Sequence, residues 1–260
     1  MELRFDQIPA WISLPIVVAA VAALAIFGAW QVRKRHTLDE LVQNNEIAGF
    51  KFGVIGVLYA VVLGMAVVAV WEDFKDAVSN AETEANLVGD LYRDVKGLEP
   101  ASSDAMRSAL KAYCVSVIQV EWPKMEAGER DPKTQALFEE LFTTCLQINP
   151  RDDRENIVLA EVFSGLNRLA DARRSRISDA HMRMPGLLWF TLIAGGGITI
   201  TFTFFFGNRN WRAHCLMTAL LSGMIAMMLF VIHEVDHPYG GSVRVKPDSI
   251  ERVLKRIQSL

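Results

Sequence analysis

Four stretches of this chain, residues 11–30, 52–71, 186–206 and 213–232, contain no Asp, Glu, Lys or Arg. A stretch of about 20 residues, wound as a helix at 1.5 Å per residue, is roughly 30 Å long, the thickness of a bilayer's hydrocarbon core. Four such blocks predict four transmembrane helices, because a helix is the one open structure that satisfies its own backbone in lipid. Charged residues are 22% of the chain and fall between the blocks, so 72–185 reads as a soluble helical domain. The expected organisation is a tail over 1–10, two spans in 11–71, a bundle over 72–185, two spans in 186–232 and a C-terminal tail over 233–260. The expected fold class is therefore all-α, an integral membrane protein with four transmembrane helices and an inserted soluble four-helix bundle.

The start, Met1-Glu2-Leu3-Arg4-Phe5-Asp6, is not cationic, and Arg33-Lys34-Arg35 follows the first block. That order predicts a retained span and not a cleaved signal. Trp11 and Trp30 stand near its two ends, at interfacial depth. The loop up to residue 51 reads as short and polar.

The second span carries small residues at Gly49, Gly53, Gly56, Ala60 and Gly64, spaced for close helix approach. They suit either packing among the four spans or self-association. Tyr59 is the single polar side chain well inside the span. Beyond Trp71 and Glu72 the helical signal continues. Phe74, Val78, Ala81, Ala85, Val88, Tyr92 and Val95 step by 4, 3, 4, 3, 4 and 3, the rhythm of a packed seam. No Pro intervenes from Asn45 to Val95, so one rod is expected, ending near Gly97 and Pro100.

Ser102-Ser103-Asp104 reads as the cap of the next helix, which Pro123 interrupts; 127–130 reads as loop. Asp131-Pro132 is an N-cap followed by Pro at the first helical position. That helix buries Leu137, Phe138, Leu141, Phe142 and Cys145 and stops at Asn149-Pro150. Asp152 or Asp153 starts the last bundle helix, expected to run through Leu159, Val162, Leu166 and Leu169 to Met184, nearly fused to the third span. Arg173 falls in its seam, where an apolar residue is expected. Cys114 and Cys145 lie on apolar helix sides, as buried thiols or as a disulfide if the domain faces an oxidising compartment. Ile250, Val253, Leu254 and Ile257 make Asp248–Gln258 an amphipathic helix, for the bundle or the membrane surface.

Several side chains suggest chemistry. Thr191, Thr199 and Thr203 share one face of the third span, and His214, Thr218 and Ser222 one face of the fourth. The hydroxyls are candidates either for lining a wet pore or for interhelical and helix-backbone hydrogen bonds. Glu72, Asp73, Glu82 and Glu84 suit a solvated face or an acidic vestibule. Arg168, Arg173, Arg174 and Arg176 would give a basic one. His233-Glu234-x-x-His237 matches a zinc-hydrolase pattern, but Pro238 pushes the second histidine out of helical geometry. His233 and His237 are thus weak metal candidates, and no cofactor is expected.

The spans hold no ionisable Asp, Glu, Lys or Arg, which argues against ion-coupled transport. No nucleotide or haem motif is present, and a net charge of −3 gives no reason to expect nucleic acid. Arg33, Lys34, Arg35 and Lys51 in the first short loop, with Arg209 and Arg212 in the second, point to cytoplasmic short loops. The bundle would then lie on the outer face.

Asn45-Glu46-x-x-Gly49-Phe50, Gly56-Val57-Leu58-Tyr59-Ala60-Val61 and Trp71-Glu72 resemble a bacterial membrane family called bestrophin-like. So do Glu121-Trp122-Pro123, Leu166-Asn167-x-Leu169-x-Asp171-x-Arg173, Thr203-Phe204-Phe205-Phe206-Gly207 and Asp236-x-Pro238-Tyr239-x-Gly241. The resemblance spans nearly the whole chain. It implies likeness to bestrophins, pentameric anion channels with four spans per subunit and a cytosolic helical region, a sidedness opposite to the charge count. The bestrophin pore-neck pattern and acidic calcium clasp are not recognisable here, so anion selectivity and calcium gating are not carried over. The expected function is a pore-forming homo-oligomer in the bilayer, an ion channel of unspecified selectivity. The alternatives are a non-catalytic sensor or scaffold and, remotely, a zinc hydrolase.

Overall fold

The computed structural model describes residues 9–43, 45–126, 129 and 131–259. The first residues, on which the signal reading rests, and positions 127, 128 and 130 of the expected loop lie outside them. Among the described residues the chain is helical, with no strand. It divides into two compact units, 1–72 with 183–236, and 73–182 with 237–260.

The first unit holds four helices long and apolar enough to cross a membrane. They are α1 (Ala10–Arg35), the first part of α3 (Asn45–Asp94), α8 (Gly186–Thr203) and α9 (Trp211–Val235). Arg33, Lys34 and Arg35 occupy the last turn of α1, where cations complement the helix dipole. α1 packs along α9, and Gly223 lets the helices close, since a Cβ there would lie 3.2 Å from Val18. Asn210 caps α9 by accepting from Ala213 N.

The expected polar loop before the second span is mostly helical. α2 (Leu38–Gln43) forms because Thr37-Leu38-Asp39-Glu40 is a capping box. Thr37 N donates to Glu40 Oε2 at 3.1 Å and Glu40 N to Thr37 Oγ1 at 3.4 Å. α3 already begins at Asn45 and continues without a break to Asp94, followed by a 3-10 turn over Val95–Gly97.

The second unit is the bundle: the later part of α3, α4 (Pro100–Ser116), α5 (Trp122–Glu126), α6 (Pro132–Leu146), α7 (Asp153–Asp179) and α10 (Asp248–Gln258). Its core joins Ala81, Val88 and Leu91 to Leu110, Leu141 and Leu166, all essentially buried. Leu91 meets α7 at Gly165, where an added Cβ would come within 2.7 Å of the leucine. Ile250 and Ile257 of α10 are buried in the same core, which selects bundle packing for that helix. Cys114 and Cys145 are buried free thiols.

Three boundaries differ from the sequence reading. α4 starts at Pro100, not after Ser102, because Pro at the first position has its φ preset for a helix. Pro123 does not break the chain's helical path. A π-helical turn over Val117–Glu121 precedes it, and the widened register tolerates a residue without an N–H. Finally, α7 stops at Asp179 and is not nearly fused to the third span. Asp179 accepts from Asn80 Nδ2 at 2.8 Å, and Met184 N is taken by Asp236 Oδ1 at 2.7 Å and not by a helical carbonyl.

Candidate functional site

In the membrane unit, the motif residues act as fasteners. Asn45 makes a reciprocal pair with Gly207: its Nδ2 donates to Gly207 O at 2.8 Å, and Gly207 N donates to its Oδ1 at 2.9 Å. This ties the start of α3 to the turn after α8. Tyr59 donates to Leu192 O at 3.2 Å, and its side chain lies on Gly195 and Gly196, where an added Cβ would come within 2.7 Å and 2.9 Å of it. Asp236, at the end of α9, accepts from Met184 N and, at 3.1 Å, from Trp189 Nε1. It thereby fixes the entry of α8. Glu46 and Glu72 are exposed, and Trp71 is 53% exposed.

The remaining face of α3 is open. Only 11% of its apolar window is buried within the chain. A Cβ at Gly49, Gly53, Gly56 or Gly64 would meet no described residue within 4 Å. The small residues therefore do not serve contacts among this chain's own spans.

Most of the hydroxyl candidates are spent on their own helices. Thr191 donates to Leu187 O, Thr199 to Gly195 O, Thr203 to Ile200 O and Ser222 to Ala219 O. Thr199, Thr203, Thr218 and Ser222 are buried within the chain, while Thr191 is exposed. The histidine motif loses its geometry. α9 ends at Val235, so His233 is helical and His237 is not, and the two do not share a helical face. Among the described residues no group of three His, Cys, Asp or Glu is placed to hold a metal.

The bundle brings together charges that the sequence reading had put on surfaces. Glu84 is not on a solvated face; it is fully buried and ion-paired with Arg176, which is also fully buried. Arg176 Nη2 reaches Glu121 at 2.5 Å, and Arg173 Nη2 takes the other oxygen of Glu121 at 2.5 Å. Tyr113 donates to Glu84. Burial first, and then the Glu84 charge, hold the Tyr113 phenol well above its ordinary range. The same two causes push the Cys114 thiol up to about 12, so it stays protonated and inert. Arg168 and Arg174 pair on the surface with Glu161 and Asp171. The arginine run is thus divided between core and surface pairs and offers no free basic patch.

Other motif residues brace this network. Arg176 lies over the Trp122 ring, which meets Tyr239 edge-on, and Trp122 Nε1 donates to Val245 O at 3.2 Å. Tyr239 donates to Ala77 O, and Pro238 O accepts from Val245 N. The signal for the network was present: Ala77, Ala81, Glu84, Val88, Leu91 and Val95 step by 4, 3, 4, 3 and 4. The charge on Glu84 hid it.

These features define an all-α integral membrane protein with four spans and a soluble helical bundle drawn mainly from the segment between the second and third, with α10 added from beyond the fourth. The family described as the Bestrophin-like domain matches residues 16–250, and the chain belongs to that family. No curated protein matches it by sequence. Its fold is similar to that of a bacterial bestrophin homologue from Klebsiella pneumoniae. One variant of that protein is 14% identical over 93% of this chain and 99% of its own, with a TM-score of 0.72. Another is 16% identical over 95% and 99%, with a TM-score of 0.73. A structure described as a membrane protein is 14% identical over 93% and 97%, with a TM-score of 0.74.

Proposed function

We propose that the chain assembles with copies of itself into a bestrophin-type pore for small ions in the bacterial inner membrane. One observation carries this beyond family membership: the open face of α3, with Gly49, Gly53, Gly56 and Gly64 unopposed and Val57, Val61, Met65 and Val68 exposed. Lipid tails contact such a face no better than they contact any apolar helix. Small residues at helical spacing favour another helix, because packing and not hydrophobicity drives association in lipid. The hydroxyls of Thr199, Thr203 and Ser222 are already bonded inside the chain, so α3 is the helix assigned to the inter-subunit face and the path.

Purified protein in liposomes should pass small ions. Gly53→Leu should leave the four spans inserted and the bundle folded, but split the oligomer and abolish flux. A monomeric wild-type protein in vesicles tight to chloride, potassium and protons would sink the reading. The arginine and lysine count places the short loops in the cytoplasm and the bundle outside. Labelling of Ser108→Cys, an exposed position on α4, by a membrane-impermeant maleimide on intact spheroplasts supports that sidedness, and protection reverses it.

A non-catalytic sensor is the second reading, favoured by the unbroken run of α3 from Asn45 to Asp94. It requires cross-linking to a different protein and no flux.

A further inference from the structure

A cavity of about 370 Å³ lies in the membrane unit beside the start of α3, the end of α8 and the first turns of α9. Two side chains in its wall, His214 at 5% exposure and Thr218 at 3%, are polar and nearly buried. Their neighbours are already occupied. Asn45 is bonded to Gly207, Thr203 to Ile200 O, and the Asn208 side chain accepts from Asn210 N. The His214 ring stacks on Trp211 with centroids 5.6 Å apart, yet no described residue hydrogen-bonds its nitrogens. Among the described residues the Thr218 hydroxyl has no hydrogen-bond partner either, whereas those of Thr191, Thr199, Thr203 and Ser222 all bond back to their helices. Neither polar group is sealed from the cavity, so each keeps hydrogen-bonding capacity that faces it, and a ligand's polar atoms would take that up.

The chemistry of that ligand follows from its surroundings. An imidazole N–H and a hydroxyl can each donate as well as accept, so the pair fits a head with acceptor atoms, and the charge around it selects among such heads. Among the described residues no Asp or Glu lines the cavity. A fixed charge beside it is Arg33, whose Nη1 donates to Asn208 O at 3.0 Å and whose guanidinium lies 5.0 Å over the Trp211 ring. A cation is disfavoured there and an anion favoured. The rest of the wall is apolar: Phe52, Phe206, Met217 and Leu221. A pocket in the usual size range, with few polar groups and much apolar surface, suits a compact amphipathic molecule.

We propose that this cavity binds a medium-chain monocarboxylate, with its carboxylate on His214 and Thr218 and its tail among Phe52, Phe206, Met217 and Leu221. The acid arrives either from water or as a free fatty acid of the bilayer. The site does not rest on the pore reading, since a chain that conducts nothing still has this cavity.

The test is binding of radiolabelled octanoate to the full-length protein in nanodiscs. Saturable binding is expected, weakened by about tenfold or more in H214A and in T218V, a loss of about 1.4 kcal/mol. It should be unchanged in T191V, whose hydroxyl is exposed and bonded to its own helix. Octan-1-ol, which has the same tail without the anion, should compete at least about tenfold less well. Displacement by oleate added to the nanodisc lipid supports the site and assigns the bilayer as source. Saturable octanoate binding that oleate does not displace supports it with a water-borne ligand. Uptake no greater than in protein-free nanodiscs overturns the proposal, as does equal affinity in wild type and T218V. Should H214A misfold, T218V alone decides, because it keeps the side chain's shape and removes only the hydroxyl.

Discussion

Arg176 meets both carboxylate oxygens of Glu84, through Nε and, at 3.2 Å, through Nη2, in a core where neither side chain is exposed. Glu121 and Arg173 extend the pair to two acids and two guanidiniums, so the buried charges balance. A balanced network of this kind specifies one alignment of α3 and α7 more than it adds stability, because desolvation offsets most of the attraction. Removing one partner leaves the other charge buried alone. Glu84→Ala or Arg176→Ala should therefore lower bundle stability by about 3–5 kcal/mol. The double variant Glu84→Leu/Arg176→Met should lie much closer to wild type. Thermal melts of the four proteins test this, and a double variant no more stable than the two single variants would refute the pairing.

The sequence revealed the four spans, the unbroken α3, the Asp131 and Asp152 caps and α10, because each rests on a local pattern. It did not reveal the Glu84–Arg176 pair. Hydropathy treats Glu84 as a surface residue, while its place in the seam depends on a partner 92 positions away. Arg173 in the α7 seam was half of the signal. The end of α7 was illegible for the same reason: Asp236, distant in sequence, takes the Met184 N–H that a further helical turn would use. Asn45, Tyr59 and Asp236 were recognised as motif positions, but their work as fasteners becomes visible only with Gly207, Leu192 and Trp189 beside them.

Acid should weaken the α6 end of the bundle through Asp131. Lys124 Nζ lies 2.6 Å from its carboxylate and is the largest cause of a pKa lowered to about 2, with the Thr134 hydroxyl and N–H adding to it. The folded value lies below the unfolded reference of 3.8. The stabilisation is therefore complete above pH of about 4 and lost as pH falls towards 2. Glu155, lowered chiefly by the N–H groups of Arg151 and Glu99, acts with the same sign. Asp131→Asn keeps a capping acceptor and should flatten part of the melting temperature's fall between pH 5 and pH 2.5. Asp131→Ala should also cost about 1 kcal/mol at neutral pH. A wild-type acid profile identical to that of Asp131→Asn would exclude the assignment.

Glycines in the membrane unit should divide by what they face. An added methyl at Gly195 would meet the Tyr59 ring at 2.7 Å, and one at Gly207 would strike the backbone of Leu41 and Val42. A side chain moves more readily than a backbone, so Gly207→Ala should destabilise the membrane unit more than Gly195→Ala. Asn45→Ala, which removes two hydrogen bonds and adds no clash, should cost about 1–3 kcal/mol. Heat-induced aggregation in detergent gives the order. Equal tolerance of Gly207→Ala and Gly64→Ala would contradict the bracket, since Gly64 faces open space.

Proline at position 73 tests α3 as a rod. Asp73 lies in the middle of a 50-residue helix that contains no proline. A proline there deletes the hydrogen bond from residue 73 N–H to Ala69 O and its ring crowds that carbonyl, at a cost of about 3 kcal/mol in a helix interior. The apolar block of the second span ends at Trp71, so insertion should survive. The bundle draws Ala77, Ala81 and Val88 from the later turns of α3, so the kink must be absorbed either by α3 or by the core. Asp73→Pro should therefore yield an inserted protein with a lowered melting temperature and, if α3 borders the path, no ion flux. Protease protection of the spans, circular dichroism melts and liposome flux separate these effects. A variant that melts and conducts like wild type would show that the helix carries a flexible joint just past Trp71 and Glu72, where the structure draws a continuous rod.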